Sequence, residues 1–226
     1  MFDGISGTYD RLNRFITFGI DLKWRRRMMK YVAETKPGKI LDIATGTGDL
    51  LLLAAEKTRA GEITGADISE GMLEIGKRKV AESPYRDRIK LQLADAEDLP
   101  YGTGYFDVVT VAFGVRNFED LDKGLNEIKR VLRAGGRLVI LETSVPGNAL
   151  IRRLYNFHSR YLLPRMGKIF AGDATAYRYL SESAKKFPYG QAFHNKLTGT
   201  GFINVQTLPQ TFGAAAIYIA EKPSES

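Results

Sequence analysis

The chain has 226 residues, 44% of them apolar, enough to bury a core of the size found in a single α/β domain. It carries no cysteine and two histidines, which excludes disulfide frameworks, thiolate nucleophiles and cysteine-ligated metal sites, and no metal site is expected. The formal charge of +7 suits an anionic partner, whether nucleic acid, a membrane surface or an acidic small molecule, while no run is long and apolar enough to span a bilayer.

In chain order, residues 1–36 are expected to form a helical cap. Trp24, Met28, Tyr31 and Val32 share one helix face, with Arg25, Arg26, Arg27 and Lys30 mainly on the other. Such a helix either packs on the body with a solvated basic face or touches an anionic membrane, and the two are compatible. The amino end has no signal-peptide pattern, so a cytoplasmic protein is expected, with the inner membrane face as an optional peripheral contact. Residues 37–145 then alternate strands and helices, the pattern of a parallel sheet covered on both faces. The strands read as Lys39 to Ala44, Glu62 to Asp67, Ile89 to Leu93, Phe106 to Phe113 and Arg137 to Glu142. Helical periodicity fits Leu50 to Thr58, Gly71 to Ala81 and Leu121 to Leu132, the last ending at Gly135 and Gly136, where a left-handed cap costs little. Residues 146–200 are aromatic, basic and helical, broken at Pro164, Gly172 and Pro188, and read as a lid. Residues 201–222 return to strands, Phe202 to Leu208 and Ala214 to Glu221, close enough to pair antiparallel. One domain with a mixed seven-stranded sheet follows.

The informative turn is Thr45, Gly46, Thr47 and Gly48, between the first strand and the first helix of this core. Glycines there let a ligand approach the backbone, and the first N–H groups of the helix point toward it. A dinucleotide loop would place a third glycine three residues after Gly48, where the sequence has Leu51, so hydride transfer is disfavoured. Asp67 ends the second strand about 20 residues beyond the loop, where a carboxylate can accept both ribose hydroxyls. Ile68 beside it counts as a further contact. After the third strand, Asp95 and the backbone N–H of Ala96 offer an acceptor and a donor complementary to the edge of adenine. Asp42, inside the first strand, needs either a bound cation or neighbouring loop amides to offset its burial. The whole is the pattern expected of the nucleoside site of an S-adenosylmethionine-dependent methyltransferase.

Beyond that loop, the chain resembles the ubiquinone and menaquinone biosynthesis C-methyltransferases nearly end to end. The resemblance is carried by MFDGISGTYDRLNRFITFGID (Met1 to Asp21), LDIATGTGDL (Leu41 to Leu50), ADISEGML (Ala66 to Leu73), ADAEDLPY (Ala94 to Tyr101), AFGVRNFEDL (Ala112 to Leu121), RVLRAGGRLVILE (Arg130 to Glu142) and AYRYLSES (Ala176 to Ser183). It implies a Rossmann-like class I fold with a helical lid insertion. By resemblance Thr47, Asp67, Asp95, Ala96 and Ala112 hold S-adenosylmethionine, and the substrate is a prenylated naphthoquinol methylated on a ring carbon. Thr143 and Val145, in LETSVP, depart from the family pattern, as do Ser6 after Ile5 and Ala176.

Arg116 and Asn117 follow the fourth strand at the ligand face of such a sheet and are the first catalytic candidates. An arginine is no ordinary base at neutral pH, so Arg116 would orient or stabilise a ring oxygen while Asn117 orients a water; the bland alternative is a structural turn. Tyr9 is a further catalytic candidate. Phe113, Tyr177, Tyr179 and His158 are candidate substrate contacts, although such tyrosines and a satisfied histidine often serve packing alone. Two other functions stay open: a methyltransferase of this fold acting on another small molecule, and a basic nucleic-acid-binding module. No specific nucleic-acid contact is expected, a membrane surface is plausible, and a homodimer is possible.

Overall fold

The computed structural model describes residues 17, 19–149, 152–153 and 187–224. Seven strands form one sheet: β1 (Lys39–Ile43), β2 (Glu62–Asp67), β3 (Ile89–Leu93), β4 (Phe106–Ala112), β5 (Leu132–Thr143), β6 (Ile203–Gln210) and β7 (Ala215–Glu221). Their spatial order is β3-β2-β1-β4-β5-β7-β6, and β7 alone runs against the others. The strand order reverses between β1 and β4. At such a switch point adjacent loops diverge and leave a crevice at the carboxyl ends of the strands.

Alternation along the central strands assigns side chains to two cores. Leu41, Ile43, Val109, Val111, Leu138 and Ile140 bury one face against α4 (Leu121–Val131) and α5 (Gln191–Gly199). Ile40, Ile63, Val108, Val139 and Leu141 bury the other against α1 (Ile20–Ala33), α2 (Asp49–Lys57) and α3 (Glu70–Ala81). In α4, Leu125, Ile128 and Val131 are fully buried, each contributing roughly 1.5–3 kcal/mol of apolar burial. Asp120 starts that helix by accepting from the Lys123 N–H at 3.0 Å.

Two strand ends differ from the sequence expectation in the same way. β1 stops at Ile43 and β4 at Ala112, and the next residues, Ala44 and Phe113, are left-handed at φ 53° and 61°. Non-glycine residues rarely adopt that region, so the chain is bent sharply at both lips of the crevice. The third expected helix also ends sooner. α4 stops at Val131, and Gly135 and Gly136 lie inside β5, where the pairing of Phe106 with Leu132 jumps to Val108 with Arg137. The left-handed Gly135 (φ 67°) serves a bulge there and caps no helix.

The basic helix α1 is packed on the body. Trp24, Met28, Met29 and Val32 are buried, while Lys23, Arg26, Arg27 and Lys30 are exposed and Tyr31 is half-buried. The indole N–H of Trp24 donates to Thr211 Oγ1 at 2.8 Å and Arg27 donates to Gln210 Oε1 at 3.2 Å, tying the helix to the β6–β7 connection. Its apolar face is therefore committed to the core. The expected lid over 146–200 falls largely outside the described residues; of it, 187–199 contribute α5 and the buried Phe187, Phe193 and Leu197. Among the described residues no helix is long and apolar enough to cross a membrane.

Candidate functional site

A cavity of about 300 Å³ opens at the switch point, walled by the segments that follow β1, β2, β3 and β4. Its floor is the glycine turn. Gly46 and Gly48 are left-handed at φ 57° and 79°, and a Cβ built on Gly46 would meet no protein atom within 4 Å, so the backbone there is open to a ligand. The turn is held from two sides: Thr45 N–H donates to the Ala66 carbonyl at 3.1 Å, and Gly46 N–H to Asp67 Oδ2 at 2.7 Å. Lys79 of α3 reaches across to Thr47 Oγ1 at 2.9 Å and Asp49 Oδ1 at 2.8 Å. Sequence reading missed Lys79, whose separation of 32 residues from Thr47 carries no local signal.

The carboxylates around this floor are set by specific donors. Asp67 accepts from Gly46 N–H and from Ser69 N–H at 2.9 Å, which fixes it at the end of β2. Asp95 is exposed and accepts from Glu97 N–H at 2.9 Å through Oδ1. Its Oδ2 and the N–H of Ala96 have no hydrogen-bond partner among the described residues, leaving both free for an outside group. Asp42 is buried and accepts from Thr45 Oγ1 at 2.6 Å and Thr110 Oγ1 at 2.7 Å. Loop amides, one of the two expected ways to satisfy it, are not its partners. Burial pushes its carboxyl up to about 6, against the opposing pull of the two hydroxyls and the Arg25 charge.

The opposite wall is built after β4. Ala112, Phe113, Gly114, Asn117, Phe118 and Glu119 line it. Gly114 lets this wall touch the glycine turn, because a Cβ there would fall 2.4 Å from Ala44 Cβ. Asn117 Oδ1 is buried without a hydrogen-bond partner among the described residues, an acceptor that can serve a ligand or water in the cavity. Arg116 does not line the cavity. Its guanidinium is ion-paired with Glu142, which is fully buried at the end of β5 and also accepts from Thr143 N–H at 2.7 Å.

Of the residues singled out in the sequence, Asp42, Thr45, Gly46, Thr47, Asp67, Ile68, Asp95, Ala96, Ala112, Phe113 and Asn117 line one cavity. Gly48 sits just behind its floor and starts α2. Tyr9, His158, Tyr177 and Tyr179 lie outside the described residues. Among the described residues, no group of three or more His, Asp or Glu could hold a metal ion. The cavity contains one residue expected on the solvated face of α1, Arg25, whose side chain is 14% exposed and stands 5.7 Å from the Phe113 ring centre.

The profile of the ubiE/COQ5 methyltransferase family matches residues 1–222. The chain belongs to that family. A demethylmenaquinone methyltransferase of Thermus thermophilus is 44% identical over 223 residues, covering 99% of this chain and 100% of that protein. A ubiquinone/menaquinone biosynthesis C-methyltransferase of Geotalea daltonii is 46% identical, covering 98% and 94%. Among solved structures, an S-adenosylmethionine-dependent methyltransferase of Thermotoga maritima, described as a possible histamine N-methyltransferase, superposes with a TM-score of 0.67 at 19% identity. It covers 98% of this chain and 97% of that one, a likeness of fold alone. The ubiE/COQ5 member is thus an S-adenosylmethionine-dependent methyltransferase with the Rossmann-like class I sheet. Its cavity fits that cofactor. Its lining offers fixed carboxylates suited to hydroxyl and amino donors, an open glycine turn that admits close backbone approach, and an acceptor and a donor at Asp95 and Ala96.

Proposed function

We propose that the enzyme methylates a ring carbon of a demethylmenaquinol, a prenylated naphthoquinol, in menaquinone biosynthesis. The observation that carries this reading is the near-complete alignment, at 44% identity, with a protein named for that reaction. When bound, S-adenosylmethionine supplies an electrophilic methyl group on a sulfonium cation. The protein's task is to present an electron-rich ring carbon to that methyl with water kept out.

Asp67 holds the ribose, Asp95 with the Ala96 N–H holds the adenine edge, and Thr47 shapes the turn beneath, pinned by Lys79. On the opposite wall, Asn117 Oδ1 is the acceptor that receives a ring hydroxyl or a water placed against it, which favours loss of the hydroxyl proton. Phe113 offers an apolar surface for the ring. Arg116 acts from behind this wall as a positioning residue: Glu142 fixes its guanidinium 6.0 Å from the Phe113 ring centre, and the residue it precedes is Asn117. Tyr9, Tyr177, Tyr179 and His158 remain candidate contacts for the ring and its closure.

A prenylated substrate resides in a membrane, and the exposed Lys23, Arg26 and Lys30 on α1 provide an electrostatic contact with an anionic surface, each worth about 1 kcal/mol. Since the apolar face of α1 is buried, that contact is superficial and salt-sensitive. The substrate reading is tested with reduced demethylmenaquinol and methyl-labelled S-adenosylmethionine, followed by fragmentation mass spectrometry. Label on a ring carbon is expected; a methyl ether product, or turnover of a water-soluble phenol far above that of the quinol, would overturn it.

A further inference from the structure

Six acidic side chains line the cavity, Asp42, Asp49, Asp67, Asp95, Glu97 and Glu119, and among the described residues one cation, Arg25. Such a balance suits the sulfonium and ammonium of the cofactor but leaves its single anion, the α-carboxylate of the amino-acid end, with one possible charge partner in the wall. Arg25 is unusually placed for a helix-surface arginine. Its neighbours Lys23, Arg26 and Arg27 are exposed, whereas its own Nε is buried without a hydrogen-bond partner among the described residues. The acid beside it among the described residues is Asp21, at 3.9 Å and beyond hydrogen-bond reach, and that carboxylate already accepts from Thr17 Oγ1 at 2.6 Å. The flanking anchors of Trp24 to Thr211 and Arg27 to Gln210 fix the turn of helix that carries it.

Sheet order supplies the direction. Asp95 follows β3, Asp67 ends β2, the glycine turn follows β1 and Phe113 follows β4, the four strands lying side by side in that order. A nucleoside with its adenine at Asp95 and its ribose at Asp67 points its remaining end across β1 toward β4. Arg25 stands there, against Phe113 and near enough to Asp42 for its charge to be felt. We propose that Arg25 is the carboxylate anchor of the cofactor site, its guanidinium receiving the α-carboxylate of the amino-acid end of S-adenosylmethionine. This rests on the cofactor reading above and adds a residue of the amino-terminal helix to a site otherwise built from strand ends. Docking of α1 then becomes a condition for cofactor binding. The amine of the same end is left to the acids, Asp42 foremost.

The test is a binding cycle by calorimetry on the full chain, with two ligands that differ only by the carboxylate: S-adenosylhomocysteine and its decarboxylated aminopropyl analogue. In the unmodified enzyme, loss of the carboxylate is expected to weaken binding roughly 10- to 100-fold, the range for a hydrogen bond between charged groups. In Arg25→Met, which keeps an apolar stem against Phe113, S-adenosylhomocysteine should weaken by a similar factor while the analogue binds as it does to the unmodified enzyme. Equal weakening of both ligands, or of neither, overturns the anchor. Should the methionine variant fail to fold, Arg25→Lys replaces it: several-fold weaker S-adenosylhomocysteine with unchanged analogue affinity supports the anchor, and parallel loss of both sinks it. Failure of the unmodified enzyme to bind S-adenosylhomocysteine at all would instead strike the cofactor reading itself.

Discussion

The two walls of the cavity are built on opposite principles. On the β1–β2 side, Asp67, Asp42 and Thr47 each have a protein partner within hydrogen-bond distance, so the wall is finished before any ligand arrives. On the β4–β5 side, Phe113 is held left-handed, Asn117 Oδ1 is buried and unpartnered among the described residues, and a full positive charge is sealed in against Glu142. The first wall pre-organises binding, because little ordering remains to be done when the nucleoside docks. The second holds strain and charge in reserve, the arrangement expected where a reacting group changes its own charge. Substitutions that exchange these behaviours would break the distinction.

The largest effect is expected at the sealed charge. Glu142→Ala removes the buried carboxylate that is ion-paired with the Arg116 guanidinium, a change that typically costs about 3–5 kcal/mol. Urea unfolding should show a midpoint displaced accordingly, and the double variant Glu142→Ala with Arg116→Met should recover much of the loss while turnover stays low. A single variant as stable as the unmodified enzyme would mean that the charge is not sealed, and the contrast between the walls would fail.

Next comes a group on the finished wall whose titration burial shifts, Asp42. Asp42 is shifted from 3.8 to about 6 by burial, so the folded state favours its neutral form. Stability from that preference is complete below the unfolded value of 3.8 and is lost as pH rises through about 6, a swing of about 3 kcal/mol. Asp42→Asn removes it. The stability difference between unmodified enzyme and variant should therefore shrink or reverse from about pH 4 to about pH 7. A cationic ligand favours the ionised carboxylate, so affinity for S-adenosylmethionine should rise over the same interval in the unmodified enzyme and stay flatter in the variant. Parallel pH profiles would show that Asp42 is not held neutral.

Much of the binding wall was legible in the chain because it is local. A strand, a glycine turn and a helix are consecutive, Asp67 ends one strand and Asp95 follows the next by two residues, so counting along the sequence reaches them. The missing third glycine was legible only in part. Leu51 occupies that place on α2, and the close helix-to-strand approach is made instead by Gly65 on β2, where a Cβ would fall 2.5 Å from Leu51 Cδ1. What stayed hidden depends on contacts between distant segments. Arg25 reads as part of a solvated basic face, since a helical wheel gives its side but not the cavity beside it. Arg116 reads as a ligand-facing residue, and only the end of β5 reveals Glu142 26 residues away as its partner. The end of α4 was misjudged because Gly135 satisfies a helix cap and a strand bulge equally well. Helix α5, which follows the break at Pro188, buries Phe193 and Leu197 in the core but sits in a stretch whose aromatic and basic composition suggested a lid.

The smallest expected effects separate the walls most cleanly, since they concern which kinetic quantity moves. Asp67→Ala removes the proposed ribose acceptor and the anchor of Gly46, so the dissociation constant for S-adenosylhomocysteine should rise roughly 10- to 100-fold. Turnover at saturating cofactor should change much less, because the group it touches does not react. Asn117→Ala should do the reverse. Its acceptor has no partner among the described residues to lose, so folding and cofactor affinity should hold while kcat falls about tenfold. Should Asn117→Ala weaken cofactor binding as much as Asp67→Ala does, with kcat preserved, both walls serve the nucleoside, and the ring must be activated from the segments around Tyr9 or Tyr177.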